Sequence, residues 1–316
     1  MSAESSTEIG LCGLGPMGMP IALRLADAGA NLVVWNRTPG KTGDVVAVGA
    51  VAGKHPADAA RAVTLTVLPD LPQVEELVFR PDGLLAGWRD RGVASPILVV
   101  HGTVSPVAVS VFAERMRVEH GVSVVDAPMS GGTVGATRGT LSLMVGGDPT
   151  AVSKVLPVFE TYGRTIRVFG PSGTGALAKL CNQVVVASTV TAVSEALVLA
   201  RRAGLDQVAL VEILSGGLAA SEVLTQKASK WLADDYVEGG SARNQLKDLR
   251  FVAEAARANG IDLPVAAVVE ALFAEMVASG AGDLDHTGII RTLDSRSASH
   301  AGGAVSLASN TEDAHP

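Results

Sequence analysis

Cysteine is nearly absent. The 316-residue chain has two, Cys12 and Cys181, which cannot supply a disulfide framework or a thiolate metal site; both fall in apolar surroundings and read as buried thiols. Aromatic residues are scarce as well, at 3%, and charged residues reach 18% against 47% hydrophobic, the composition of an ordered globular protein. Positive charge is the rarer sign, with 25 Lys and Arg against 32 Asp and Glu, a formal net charge of −7, and no basic cluster. A nucleic-acid or anionic-membrane surface needs clustered positive charge, so neither partner is expected and small molecules are favoured. Grouped His, Cys and acidic residues at metal-ligand spacing are missing too, and no metal is expected. The nearest approach to a membrane segment, Val184 to Val193, is too short for ~30 Å of hydrocarbon and reads as a buried core helix. The polar, acidic start lacks the basic and apolar regions of a secretory signal, which points to a cytoplasmic protein.

Glycine is plentiful, at 35 residues, and it punctuates two different patterns. In the first, short apolar runs (Ile9 to Leu14, Asn31 to Asn36, Thr64 to Leu68, Ile97 to His101, Ser123 to Asp126) alternate with helix-period segments, which predicts parallel βαβ units. Two further strands are expected at Leu141 to Val145 and Arg167 to Phe169, with a helix from Pro149 to Tyr162 between them. From Pro171 onward the pattern is helical only: Gly175 to Ala203, Gln207 to Ser215, Glu222 to Leu232, Ala242 to Asn259 and Leu263 to Ser279. The turn Gly170-Pro171-Ser172-Gly173 separates them, giving an α/β domain over residues 1–170 and an all-α domain over 171–295. Residues 296–316, rich in Ser, Ala, Gly and His without an apolar period, read as a disordered tail.

Ile9 to Gly18 follows a strand and opens the Met17 to Ala28 helix, so Gly13-Leu14-Gly15-Pro16-Met17-Gly18 has the context a dinucleotide-binding turn requires. There Gly13 permits the tight turn, Gly15 lets backbone approach a pyrophosphate, and Gly18 lets helix and strand pack closely. After the second strand, where a carboxylate would accept from the adenosine ribose, the chain has Asn36-Arg37-Thr38. A neutral amide, a guanidinium and a hydroxyl suit a 2′-phosphate, so NADP(H) is preferred over NAD(H).

In Gly173-Thr-Gly-Ala-Leu-Ala-Lys179-Leu-Cys-Asn182-Gln183, spacings of three and four residues put one cation and two amides on one helix face. A lone lysine there would read as one that snorkels to solvent. With the amides, the nucleotide turn and an upstream Ser130-Gly131-Gly132, it reads as a site.

Together with Asp126-Ala-Pro-Met-Ser130-Gly131-Gly132 and Leu246-Lys247-Asp248-Leu249, these motifs resemble the β-hydroxyacid dehydrogenase family, related to 3-hydroxyisobutyrate dehydrogenases, from Glu8 to about Leu293. Lys179-Leu-Cys-Asn182-Gln183, Ser215 to Leu224 and Asp283 to His286 are similar to its tartronate semialdehyde reductase branch. The resemblance implies a doubly wound Rossmann-type N-terminal domain, a helical C-terminal domain, a substrate cleft between them, and a homodimer or homotetramer. It makes Lys179 the catalytic acid/base, with Ser130, Gly131 and Gly132 on the substrate carboxylate and Asn182 and Gln183 on the substrate oxygens. Leu68, Pro69, Thr103 and Lys247 match cofactor-lining positions. The implied reaction is NADPH-dependent reduction of a small carboxylate-bearing aldehyde, reversible as oxidation of a β-hydroxyacid.

Three departures from the family pattern stand out. His101 replaces the usual acidic residue before Thr103 and reads as structural ahead of catalytic; Thr133 follows Gly132 where many relatives carry Glu; and Gly239 to Lys247 lacks an aromatic residue. Other family activities, such as 3-hydroxyisobutyrate dehydrogenase or sulfonated-aldehyde or imine reductase, share the cofactor chemistry. A non-catalytic nucleotide-binding scaffold is the alternative from another class.

Overall fold

The computed structural model describes residues 8–237 and 239–297. Nine strands, β1 (Glu8–Cys12), β2 (Asn31–Trp35), β3 (Val51–Ala52), β4 (Val63–Thr66), β5 (Ile97–Val100), β6 (Ser123–Asp126), β7 (Met129–Ser130), β8 (Leu141–Gly146) and β9 (Gly163–Gly170), form one sheet. The stretch ordered β3-β2-β1-β4-β5-β6 is parallel throughout. Beyond it β8 runs antiparallel to β6 and β7 and parallel to β9. Helices α1 (Gly18–Asp27), α2 (Gly43–Ala47), α3 (Leu71–Phe79), α4 (Leu84–Asp90), α5 (Pro106–His120), α6 (Gly132–Arg138) and α7 (Pro149–Phe159) connect the strands.

Side-chain alternation sorts the parallel strands β2, β5 and β6 into two cores. Leu32 and Val34 of β2, with Ile97 and Val99 of β5, join α1 and α7 on one face, whereas Val33, Leu98 and Val100 join α3, α4 and α5 on the other. A strand buried on both faces reads as a continuous apolar run, which is why these strands are visible in the sequence. The helices start and stop on local signals. Ser105 Oγ accepts from the Ala108 N–H at 3.3 Å ahead of Pro106, and Gly121 closes α5 at φ 66°.

The remaining helices are α8 (Thr174–Arg202), α9 (Gln207–Gly216), α10 (Glu222–Ala233), α11 (Ala242–Ala258) and α12 (Pro264–Met276), with a last helical stretch at 289–297. Their core joins Val190 and Leu197 of α8 to Trp231, Leu249, Leu272 and Phe273, and the Trp231 indole N–H donates to Ser194 Oγ at 3.1 Å. The chain parts into two compact units, Met1–Asn182 and Gln183–Pro316, so the boundary falls inside α8. Half of the most apolar window of α8 is buried within the protein, as in a core helix.

The structure adds the short elements β3, β7, α2 and α6 to those expected from the sequence, and differs from the expectations at further points. Strand β9 begins at Gly163, before the Arg167 to Phe169 run, because most of it is exposed and carries no apolar signal. Helix α7 ends at Phe159, not Tyr162. Cys181 is exposed, because it lies on the solvent side of α8 between the buried Leu180 and Gln183; Cys12 is buried as expected. The expected tail lies, from residue 298, outside the described residues.

Candidate active site

Parallel strands β1, β4 and β5 end side by side, and their loops gather the first set of residues. The Val67 N–H donates to Cys12 O at 2.9 Å and the His101 N–H to Thr66 O at 3.0 Å, so Gly13-Leu14, Leu68-Pro69 and Gly102-Thr103 leave the same edge of the sheet. This is the point where strand order reverses, the place at which open α/β sheets bind dinucleotides. The three loop glycines have separate steric duties. Gly13 holds φ 103°, and a Cβ there would sit 2.5 Å from Val67 O. A Cβ on Gly18 would run into Gly13 O, whereas one on Gly15 meets nothing within 4 Å. Gly13 and Gly18 thus serve the fold, and Gly15 leaves a bare backbone facing open space. Helix α1 begins at Gly18 without a side-chain cap; the Met19 N–H already donates to Gly15 O at 3.0 Å and Pro20 has none, so what the helix start offers an anion is chiefly the positive end of its dipole. A pyrophosphate cradle of this kind fits a nicotinamide dinucleotide.

Asn36, Arg37 and Thr38 follow β2. The Asn36 Oδ1 accepts from the Leu14 N–H at 2.9 Å and its Nδ2 donates to Thr38 O at 2.9 Å, so this amide chiefly ties the glycine turn to the end of β2. Arg37 and Thr38 are exposed, and no carboxylate stands among these three residues. Pro16 is exposed and Met17 half-buried on the same turn; Leu68 and Thr103 are half-buried and Pro69 is exposed.

The second set follows β6. Ser130 lies on β7 opposite Ser142; Gly131 takes φ 126° and Gly132 φ 62° as α6 begins. Two successive residues with positive φ are readily accessible only to glycine, and without side chains such a turn can expose backbone N–H groups to an anion. Thr133 is exposed on the first turn of α6.

Lys179 is 8% exposed on α8 and donates to Asn182 Oδ1 at 3.4 Å one turn later. Burial of an ammonium is costly without polar partners, which separates this lysine from a snorkelling one. Gln183 opens the second unit. Its Nε2 donates to Asp248 Oδ2 at 2.5 Å, both side chains being buried, and the Lys247 ammonium sits 3.0 Å from Asp248 Oδ1 and 5.2 Å from the Phe251 ring centre. Lys247 therefore lies on α11 in the second unit, apart in the chain from the loops that carry the other cofactor residues.

His101 is structural. Its Nδ1 is 2.6 Å from Ala127 O, which can only accept, so Nδ1 carries the hydrogen and Nε2 accepts from the Tyr162 hydroxyl at 3.1 Å. Burial lowers its pKa to about 4, overriding the Ala127 carbonyl that favours the charged form, and the ring stays neutral between Phe159 and Tyr162.

One residue was named in the sequence motif but given no role. Asp126 is fully buried at the end of β6 and accepts from the Gly173 and Ala176 N–H groups, each at 2.8 Å. Burial pushes its carboxyl above the ordinary value, against the backbone N–H groups that pull it down. A carboxylate closing an apolar strand was the available cue.

Comparison with known proteins agrees with this layout. Residues 8–170 match the family model described as the NAD binding domain of 6-phosphogluconate dehydrogenase, and residues 173–293 the one described as NAD-binding of NADP-dependent 3-hydroxyisobutyrate dehydrogenase. The chain is 36% identical over 293 residues to 2-hydroxy-3-oxopropionate reductase of Escherichia coli, covering 91% of this chain and 97% of the relative. It is 35% identical over 297 residues to the NAD-dependent L-serine dehydrogenase of Pseudomonas aeruginosa, covering 91% and 98%. Among solved structures, 3-hydroxyisobutyrate dehydrogenase of Mycobacterium tuberculosis with L-serine is similar at TM-score 0.73 and 28% identity, over 91% of this chain and 99% of that one.

Proposed function

Because the chain belongs to the β-hydroxyacid dehydrogenase family of NAD(P)-dependent oxidoreductases, we propose that it reduces a small carboxylate-bearing aldehyde with NADPH, of the tartronate semialdehyde to D-glycerate type. The reverse reaction oxidises a β-hydroxyacid. The observation that carries this reading is the buried Lys179, set on α8 in the unit that also holds the dinucleotide turn and the Ser130-Gly131-Gly132 loop.

Bound NADPH supplies the hydride. The backbone of Gly13 to Gly18 and the start of α1 hold its pyrophosphate, and Arg37 with Thr38 hold the 2′-phosphate. Ser130, Gly131 and Gly132 hold the substrate carboxylate. Lys179, as an ammonium, donates a proton to the carbonyl oxygen as it gains charge; as a neutral amine in the oxidative direction it takes the hydroxyl proton.

Gln183 bears on the substrate. One hydrogen of its Nε2 is given to Asp248, which leaves its carbonyl oxygen and its second N–H to offer, and the carbonyl as acceptor suits a substrate with a hydroxyl beside the carboxylate better than one with a methyl there. Tartronate semialdehyde has that hydroxyl, and methylmalonate semialdehyde does not. L-serine, named for two of the similar proteins, has an ammonium donor at the same carbon.

Lys179→Ala tests the reading. Turnover is expected to fall by about three orders of magnitude or more with NADPH affinity nearly unchanged; near-normal turnover rejects it. A panel of tartronate, methylmalonate and cyclic-imine substrates tests the branch, and the tartronate compound among the slowest would reject that part alone.

A further inference from the structure

Asp126 ends β6 and grips a helix that begins far away in the chain. Its two carboxylate oxygens accept from the Gly173 and Ala176 N–H groups, 47 and 50 residues later, each at 2.8 Å. With N–H donors facing both oxygens the group fits as a carboxylate, since a protonated carboxyl would set an O–H against an N–H. Negative charge at a helix N-terminus also meets the positive end of the helix dipole. The fit is close on every side. A Cβ on Gly146 would lie 2.8 Å from Asp126 Oδ1, and one on Gly175 would lie 2.7 Å from Asp126 O and collide with Met144 O. From outside, the Ser110 hydroxyl donates to Ser172 O at 2.6 Å, and the Ser172 hydroxyl to Val124 O at 3.2 Å.

Two parts of the site depart from this one residue. The strand continues through Ala127, whose N–H is held by Val100 O at 2.9 Å and whose carbonyl is held by His101 at 2.6 Å, into Ser130-Gly131-Gly132. The gripped turn of α8 continues through Ala176 to Lys179 within the following turn. We infer that Asp126 is a positioning residue for Lys179: its carboxylate rivets the first turn of the lysine helix to the strand from which the carboxylate-binding loop leaves. The inference rests on Lys179 being the acid/base, and it adds the device that sets the distance between proton donor and substrate anchor. Errors of about 1 Å in such a distance cost on the order of 100-fold in rate.

The test compares Asp126→Asn and Asp126→Ala in the full chain, using the fastest aldehyde of the panel. NADPH affinity is read by fluorescence titration, kcat and KM are taken per cofactor-binding molecule, and the isotope effect uses NADPH deuterated at the transferred position. Expected are kcat losses of roughly 10-fold for Asn, which keeps one acceptor, and about 100-fold for Ala, with NADPH affinity within about twofold and a larger isotope effect as the chemical step becomes limiting. In a Lys179→Ala background, Asp126→Asn should add no further loss. A lower melting temperature with kcat and isotope effect unchanged overturns the inference and leaves Asp126 a purely structural cap. Turnover lost in Lys179→Ala but intact in the Asp126 variants overturns the positioning alone. Turnover retained in Lys179→Ala overturns the functional reading and the positioning with it. If Asp126→Asn does not fold, Ser110→Ala decides, because it removes only the outer clamp: a few-fold fall in kcat at unchanged NADPH affinity supports the inference, and an unchanged kcat overturns it.

Discussion

Gln183 and Asp248 are locked together in the second unit by a hydrogen bond of 2.5 Å between two buried side chains, with the Lys247 ammonium 3.0 Å from the other Asp248 oxygen. The carboxylate fixes which way round the amide lies. Replacing Gln183 with Glu would set two carboxylates against each other beside one ammonium, and such a pair keeps a proton to higher pH than either alone. Gln183→Glu should therefore lower the melting temperature at pH 8 and recover much of the loss near pH 5, where the pair takes up a proton. A melting temperature equal to that of the parent at pH 8 would show that the amide is not so held.

The proposed use of NADPH assigns the cofactor preference to Arg37. Arg37→Glu should reduce kcat/KM with NADPH by about 100-fold, the cost of losing a charge-assisted contact and gaining a repulsion, while NADH is little affected. Equal losses with both cofactors would remove Arg37 from the 2′-phosphate site.

The glycine turn separates folding from binding. A methyl on Gly15 meets no protein atom within 4 Å, whereas one on Gly18 collides with Gly13 O. Gly15→Ala should thus melt close to the parent yet bind NADPH at least ~10-fold more weakly, because the methyl occupies the space of the pyrophosphate. Gly18→Ala should lower the melting temperature. The opposite ranking in calorimetry and titration would place the phosphates elsewhere.

Acid should destabilise the protein through its buried histidines. His101 and His286 both have pKa values lowered to about 4, chiefly by burial. The unfolded chain takes up these protons near pH 6.5 and the folded chain only near pH 4, so the stability is whole above pH 6.5 and drains as pH falls through that window. His101 alone accounts for roughly 3 kcal/mol of that slope. His101→Asn, which keeps a donor for Ala127 O, should flatten the dependence of unfolding free energy on pH between 6.5 and 4; an unaltered slope would mean the ring is already charged in the native state.

Much of the fold was legible because its signals are local. Strands such as β5 (Ile97–Val100) are apolar on both faces and stand out as runs, and the Gly13 to Gly18 turn sits between a strand and a helix that announce themselves. β3 (Val51–Ala52) and β7 (Met129–Ser130) are two residues each and hold no period, so only their partners define them. The site shows the same division. Lys179, Asn182 and Gln183 share a helix face by spacing, whereas the grip of Asp126 on Gly173 and the tie from Asn36 to Leu14 join positions that meet only after the chain has folded.

The two cysteines end up in opposite circumstances: Cys12 is sealed inside β1 with its thiol pushed far up by burial, and Cys181 is exposed two residues from Lys179. A maleimide should accordingly modify one thiol per native chain, at a known place on the solvent side of α8, two residues along the chain from the proposed proton donor. That gives a natural attachment point for a fluorescent reporter of cofactor arrival. Residues two apart on a helix point to opposite sides, so alkylation at the exposed Cys181 should leave the buried Lys179 unobstructed and turnover largely intact.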